Sequence, residues 1–365
     1  MVYVPVGRLT AGMKLAADIQ AYHSKIHRAL LLPKGSIITP KFLQKLNSLN
    51  VGGAYIDDGR NYIVDIKKTI DEDRCLEIVS TLKETFVNCQ SENQILSKAS
   101  INNIKEISQG LVVTILNEKN LTVEIVDLQA YDDCTYHHSL SVAVMSIAIG
   151  AKLGLSKERL ALLGTSALLH DIGKLNVPVE LITKPARLTN DEFTTVKEHP
   201  QLGANHLLQE EFQDEEIYHG VLMHHEKFDG TGYPYHLKGD EIPLFARIIS
   251  VADVYDALTA TRPYRSPMQP QEAMEYIMGN SGTAFDFDII ELFLRAIEPY
   301  PVGCCVKLSD GRFAAVTAAN STIPLRPTVQ TIGQPAQTLE LADDASLSSI
   351  VIVGIDYSFT LDKEA

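Results

Sequence analysis

From Leu76 the apolar residues recur at helical spacing, with Val79, Leu82 and Phe86 following on one face. That period marks an amphipathic helix. It predicts mostly helix over residues 66–127, then a series of helices over residues 131–300. Residues 139–153 read as one helix and residues 157–170 as the next, the latter burying Leu160, Leu163, Ala167 and Leu168. Terminators support the series. Thr189-Asn190-Asp191-Glu192 has the form of a capping box. Pro270 opens a helix that Gly279 closes, and Asp286 caps a last one through Ile297.

Both ends of the chain break the period. Near the start, residues 14–18, 29–32 and 54–56 read as short strands, with Pro33-Lys34-Gly35 as a turn. Thr39-Pro40 opens a helix through about Leu46, since Thr suits the N-cap and Pro the first helical position. Beyond Pro301, residues 303–308 and 313–316 flank the turn Ser309-Asp310-Gly311, and residues 329–332 and 350–355 add strand pattern. The expected organisation has four parts. Residues 1–60 form an α+β module of regulatory character, 61–127 a helical linker, 128–300 a helical domain and 301–365 a β-rich extension.

A chain of 365 residues has room for two or three domains. Its net charge of -14 argues against a protein held on a nucleic-acid polymer or acidic lipid by bulk electrostatics. A small anionic ligand remains compatible, because a site can be locally basic or carry metal. The first ten residues lack a basic flank followed by an apolar core. The most apolar uncharged run, residues 139–151, falls short of the about 20 residues that span a bilayer. The expectation is a cytoplasmic protein without membrane insertion. The five cysteines, Cys75, Cys89, Cys134, Cys304 and Cys305, include no CxxC pair and read as free thiols.

The chemistry concentrates in the helical part. Eight of the eleven histidines lie between Tyr131 and Tyr233. His138, His170, His199, His224 and His225 stand out, together with Asp171 and Asp253. Imidazole and carboxylate without thiolate suit iron, manganese or zinc at a catalytic site. A structural zinc site would use close cysteine pairs instead. Neighbouring helical residues point about 100° apart, so His170-Asp171 belongs at a helix end, which Gly173 fits. A carboxylate such as Asp171 can bridge two metals about 3.5–4 Å apart, the clamp used for in-line phosphoester displacement. His23, His27, His137, His206, His219 and His236 read as ordinary core or surface residues.

Longer motifs carry a resemblance. His170-Asp171-Ile172-Gly173-Lys174 is followed by Lys184-Pro185, Leu188-Thr189 and His199-Pro200 with Gly203. Then come His224-His225-Glu226-Lys227-Phe228-Asp229-Gly230-Thr231-Gly232-Tyr233-Pro234 and Asp253-Val254-Tyr255-Asp256-Ala257-Leu258-Thr259, running into Arg262-Pro263-Tyr264-Arg265. In order and spacing this resembles the HD-GYP family of HD phosphohydrolases, which cleave cyclic di-GMP. The resemblance covers residues 128–302. It implies a mainly α fold, an HD-type helical bundle between a small N-terminal α+β module and a small C-terminal β-rich domain.

The resemblance also implies roles. His138, His170, Asp171 and Asp253 would hold one metal, and Asp171, His199, His224 and His225 a second, with Asp171 bridging. Asp171 and Lys174 are the catalytic candidates. Lys174, Arg262 and Arg265 would bind phosphate, as bidentate guanidinium groups do, and Tyr233 would pack a base. Glu226 reads as a carboxylate accepting from a ligand histidine. Asp256 and Thr259 read as helix-internal contacts. Some members carry a Glu four residues before the first ligand histidine that supports a third metal. Here Cys134 stands there, so two divalent ions, iron or manganese, are expected. The implied reaction opens cyclic di-GMP to linear pGpG, with a further cut to GMP left open, in bacterial signalling. The alternatives are a non-catalytic cyclic di-GMP receptor, a phosphodiesterase for cyclic GMP-AMP and a nucleotide phosphohydrolase of the wider group. The implied partners beyond substrate are a diguanylate cyclase or other signalling protein on the Gly-Tyr-Pro loop, and a second copy in a homodimer.

Overall fold

A computed structural model describes residues 2–5, 9–24, 27–48, 53–57, 69–70, 72–91, 95–117, 134–184, 186–208, 214–260, 268–332 and 335–356. These fall into two compact units. One contains described residues of 1–68 and 298–365, the other those of 69–125 and 134–297.

In the first unit, β1 (Val2–Pro5) pairs antiparallel with β4 (Gly53–Ile56), matching Val2 with Ile56. Strands β2 (Ile19–Ser24) and β3 (His27–Leu32) form a hairpin, and α1 (Pro40–Ser48) follows the turn at Pro33-Lys34-Gly35. Thr39 caps α1 as expected, its Oγ1 accepting from Phe42 N at 3.3 Å. The strand expected at residues 14–18 is different. Lys14 and Leu15 make only isolated bridges, to Ile37 and Ile56, and the continuous strand begins at Ile19. The partners of Lys14 and Leu15 lie far away in sequence, which a local period of two does not encode.

The same unit contains an antiparallel five-stranded sheet in the order β8-β7-β6-β5-β9. Its strands are β5 (Cys305–Leu308), β6 (Phe313–Ala318), β7 (Thr328–Thr331), β8 (Thr338–Glu340) and β9 (Ile352–Ile355). Successive side chains on a strand face opposite sides, and β5 buries both. Cys305 packs with Val4, Leu15, Ile38, Leu46, Ala54 and Ile56. Val306 packs with Tyr300, Val316, Val329 and Ile352.

The second unit is helical. Its elements are α2 (Glu72–Ser91), α3 (Lys98–Leu116), α4 (Cys134–Lys152), α5 (Lys157–Leu169), α6 (Val179–Ile182), α7 (Asn190–Val196), α8 (His199–His206), α9 (Glu215–Met223), α10 (Leu244–Thr259), α11 (Pro270–Gly279) and α12 (Phe287–Ala296). The helix expected over residues 66–127 is interrupted, because Ser97 caps a new start and accepts from Ser100 N at 3.1 Å. Residues 66–68, 71, 92–94 and 118–127 of that span lie outside the described residues. The capping box forms in full at α7: Glu192 N donates to Thr189 Oγ1 and Thr189 N to Glu192 Oε2. Asp286 caps α12 through Asp288 N. Each such cap is worth about 1 kcal/mol.

Helix α4 is the axis of this unit, with every residue from His137 to Gly150 buried. It packs against α3, α5, α10 and α12, which explains an apolar run with no polar stripe. Its fully buried Leu140, Val142, Met145, Ile147 and Ile149 each contribute roughly 1.5–3 kcal/mol of burial. The architecture is mainly α with a small antiparallel C-terminal sheet, as the sequence implies. Among the described residues no helix is long and apolar enough to cross a membrane.

Candidate metal centre

The chemical residues converge from six elements, mostly at helix ends. His170 is the C-cap of α5, and the chain then turns through a 3-10 segment, Ile172–Asn176. His199 opens α8, His224 is the C-cap of α9, and His225 follows it. His138 and Asp253 project from the interiors of α4 and α10. Glycine at position 173 lets the chain after His170 pass this close to α8. A Cβ there would lie 2.0 Å from the His199 carbonyl oxygen and 2.4 Å from Gly203 N. That contact between backbones brings Asp171 up to His199.

Hydrogen bonds fix how the rings face. The Nδ1 atoms of His170, His199 and His224 lie 2.7–2.8 Å from the carbonyls of Ala167, Val196 and Val221. A carbonyl only accepts, so each Nδ1 carries the proton and each Nε2 turns a lone pair inward. The Nε2 atoms of His199 and His224 stand 3.3 Å apart. Asp171 sits among the rings: Oδ1 is 3.4 Å from His199 Nε2, and Oδ2 is 3.5 Å from His170 Nε2 and 3.6 Å from His138 Nε2. Asp253 Oδ1 lies 3.1 Å from His138 Nε2, and Oδ2 3.9 Å from His225 Nδ1. Two donor groups result, His199-His224-His225 and His138-His170-Asp171, each with its donor atoms within 4.8 Å of one another.

This arrangement fits a cation. Burial pushes His199 down to about 3 and holds His224 well below the usual histidine range, so no proton separates their facing lone pairs. His170 Nε2 and Asp171 Oδ1 are buried without a hydrogen-bond partner among the described residues. Burial opposes the charge of Asp171, yet Lys174 and the surrounding imidazoles hold its carboxyl well below the ordinary value. Asp253 behaves likewise through its hydrogen bond to His138. Burial would lower His138, but hydrogen bonds to Asp253 and Asp256 outweigh it and raise that ring to about 9. Convergent buried imidazole and carboxylate groups of this kind can hold a metal ion.

The remaining residues divide. Lys174 pairs with Asp171 at the part-exposed side of the cluster. The Tyr233 ring stacks on His225, with centroids 4.8 Å apart and planes at 26°. Glu226 takes a different role from the one read in the sequence. Its carboxylate accepts from the backbone N–H groups of Tyr235 at 2.6 Å and Leu237 at 3.1 Å. It ties the loop rather than a ligand ring, because two loop amides point at it. Gly232 completes the closure, since a Cβ would fall 2.2 Å from Lys227 N. Arg262 and Arg265 lie outside the described residues, as does Pro185. Thr259 bonds within its helix, to Tyr255 O, as expected. Asp256 does not stay within its own helix: Oδ2 lies 2.7 Å from His138 Nδ1. Its spacing of three residues from Asp253, one helical face, was the signal available in the sequence.

The similarity to known proteins centres on this same helical part of the chain. Residues 125–289 match the family described as HD domain. Over 225 residues the chain is 36% identical to the cyclic di-GMP phosphodiesterase PA4108 of Pseudomonas aeruginosa, covering 62% of this chain and 54% of that protein. Over 190 residues it is 34% identical to the 3'3'-cGAMP-specific phosphodiesterase 1 of Vibrio cholerae, covering 52% of this chain and 43% of that protein. The chain thus spans about half the length of these curated relatives. A solved structure, Bd1817, a HDG"Y"P protein from Bdellovibrio bacteriovorus, matches with a TM-score of 0.52 at 20% identity, over 80% of this chain and 97% of that one. That likeness concerns the fold alone.

Proposed function

We propose that this chain, whose residues 125–289 match the HD-domain family, is a metal-dependent phosphodiesterase of the HD-GYP type that hydrolyses cyclic di-GMP to linear pGpG. One observation carries the reading: two adjoining groups of largely buried donors, with Asp171 facing both and its Oδ1 without a hydrogen-bond partner among the described residues.

In this reading His138, His170, Asp171 and Asp253 hold one divalent ion, and His199, His224, His225 and Asp171 hold the other, iron or manganese in each. Bound there, the pair supplies Lewis acidity and lowers the pKa of water toward neutrality. The protein's own groups do the rest. Lys174, at the part-exposed side of the cluster, exchanges its contact with Asp171 for a phosphate oxygen. Arg262 and Arg265 add bidentate donors that fix the phosphate for in-line attack. Tyr233, stacked on His225, offers its other face to a guanine. A cytoplasmic setting, and a signalling protein docked on the Gly232-Tyr233-Pro234 loop, belong to the same reading. The likeness to the Vibrio cholerae protein makes 3'3'-cGAMP the competing substrate.

The deciding experiment incubates the purified chain with cyclic di-GMP and 3'3'-cGAMP in parallel, with manganese or ferrous iron, and measures bound metal. Appearance of pGpG or GMP with about two metals per chain is expected. Faster turnover of 3'3'-cGAMP would reassign the substrate. No turnover of either, in metal-loaded protein, would overturn the reading.

A further inference from the structure

The histidines of the cluster obtain their orienting acceptors in two ways. His170, His199 and His224 stand at helix ends, and each uses a carbonyl three residues back: Ala167 and Val221 in last turns, Val196 at the close of α7. The last four carbonyls of a helix have no intrahelical partner, so they are free to receive an imidazole N–H. His138 has no such neighbour. It stands inside α4, where main-chain carbonyls are committed to the helix. Its Nδ1 is met by a side chain instead, Asp256 Oδ2 at 2.7 Å.

That side chain is an expensive choice for mere packing. Asp256 is 2% exposed, and its Oδ1 has no hydrogen-bond partner among the described residues. Burying a carboxylate with one oxygen unpartnered is unfavourable. A neutral or apolar residue would join α10 to α4 without that penalty. The same helix face places Asp253 on the other nitrogen, Oδ1 lying 3.1 Å from Nε2. One face of α10 thus addresses both nitrogens of one ring.

We propose that Asp256 is a positioning residue for the metal centre, holding the His138 ring in one orientation and keeping its proton on Nδ1 so that Nε2 presents a lone pair to the metal. The inference rests on the reading of His138 as a ligand. Removal of such an outer partner lowers metal affinity about 10–100-fold.

The test is manganese titration of the full chain by calorimetry, for wild type, Asp256→Ala and Asp256→Asn, with thermal unfolding of each metal-free protein alongside. Asp256→Ala should weaken one metal site at least about tenfold and leave the other unchanged. Asp256→Asn keeps an acceptor for Nδ1–H and should fall between Asp256→Ala and wild type. Wild-type affinity in both folded variants would overturn the proposal. So would a lower melting temperature with unchanged affinity, which would make Asp256 a pin between α4 and α10. If Asp256→Ala does not fold, unchanged affinity in Asp256→Asn is enough to overturn it. Wild-type protein that takes up no manganese would instead sink the underlying assignment of His138.

Discussion

The two halves of the cluster keep their donors available by opposite means. Toward α8 and α9 the donors are imidazoles, and burial, aided by Lys174 and the neighbouring rings, keeps His199 and His224 neutral. Toward α4 and α10 the donors include Asp171 and Asp253, whose charge survives burial because cationic and imidazole neighbours hold it. There the excess negative charge draws a proton onto His138. A buried site can therefore store ligand capacity either as neutral lone pairs or as anions partly covered by a proton. Asp171 belongs to both halves, and the halves should respond differently to the same perturbation.

The largest effect is expected where the halves meet. Asp171→Ala removes the carboxylate that faces both donor groups, so metal content should fall toward zero and cyclic di-GMP turnover beyond detection. Elemental analysis, turnover and circular dichroism check this. A folded variant that retains both metals would break the comparison at its shared residue.

Acidity separates the halves next. In metal-free protein His138 is protonated below about 9, whereas His199 is already neutral above about 3. Metal binding at Nε2 of His138 must displace that proton, so at neutral pH one half should release about one proton and the other none. Affinity of the His138 half should rise with pH up to about 9 and then level off. Calorimetry in two buffers of different ionisation enthalpy counts the protons. The linkage has a counterpart in stability. A histidine raised in the folded state stabilises most below its unfolded value of about 6.5, and that contribution is lost as pH rises through about 9. The metal-free protein should melt lower at pH 9 than at pH 6.5.

A smaller effect tests how the halves are joined. Gly173→Ala forces a methyl group against the His199 carbonyl and Gly203 N, and backbone cannot yield as a flexible side chain can. Overpacking of this kind costs roughly 1–3 kcal/mol. Thermal unfolding should show it, with metal loss greater in the His199 half. The smallest effect belongs to the loop. Glu226→Gln leaves the donors in place but sets an amide N–H against the loop amide of Tyr235 or Leu237. The KM for cyclic di-GMP should rise while metal content stays at the wild-type level.

The sequence carried the donor set further than its supports. His170-Asp171 at a helix end, the Thr189 capping box and the Asp286 cap were all legible, because helix termination is a local matter. Asp256 and Glu226 were misread, because their partners lie 118 and about ten residues away and a hydrogen-bond acceptor does not announce its donor in sequence. Strand β1 escaped notice for the same reason, its register being set by β4. The local pattern reports which face is apolar, and a partner across the fold leaves no trace in it.

Strand β5 has a consequence for how the chain is made. Its Cys305 belongs to the core formed by Val4, Leu15, Ile38 and Ile56, so that core remains open while a ribosome is still synthesising the helices in between. Helical contacts are local and close early, whereas contacts of such long sequence separation close late. The helical unit thus has all its residues available before the first unit can finish folding, and the part of the opening core that Cys305 covers, with Phe313 and Ile332 packed against it, stays exposed until those residues emerge. Chaperone dependence during synthesis should therefore fall on residues 2–56 more than on the helices that follow.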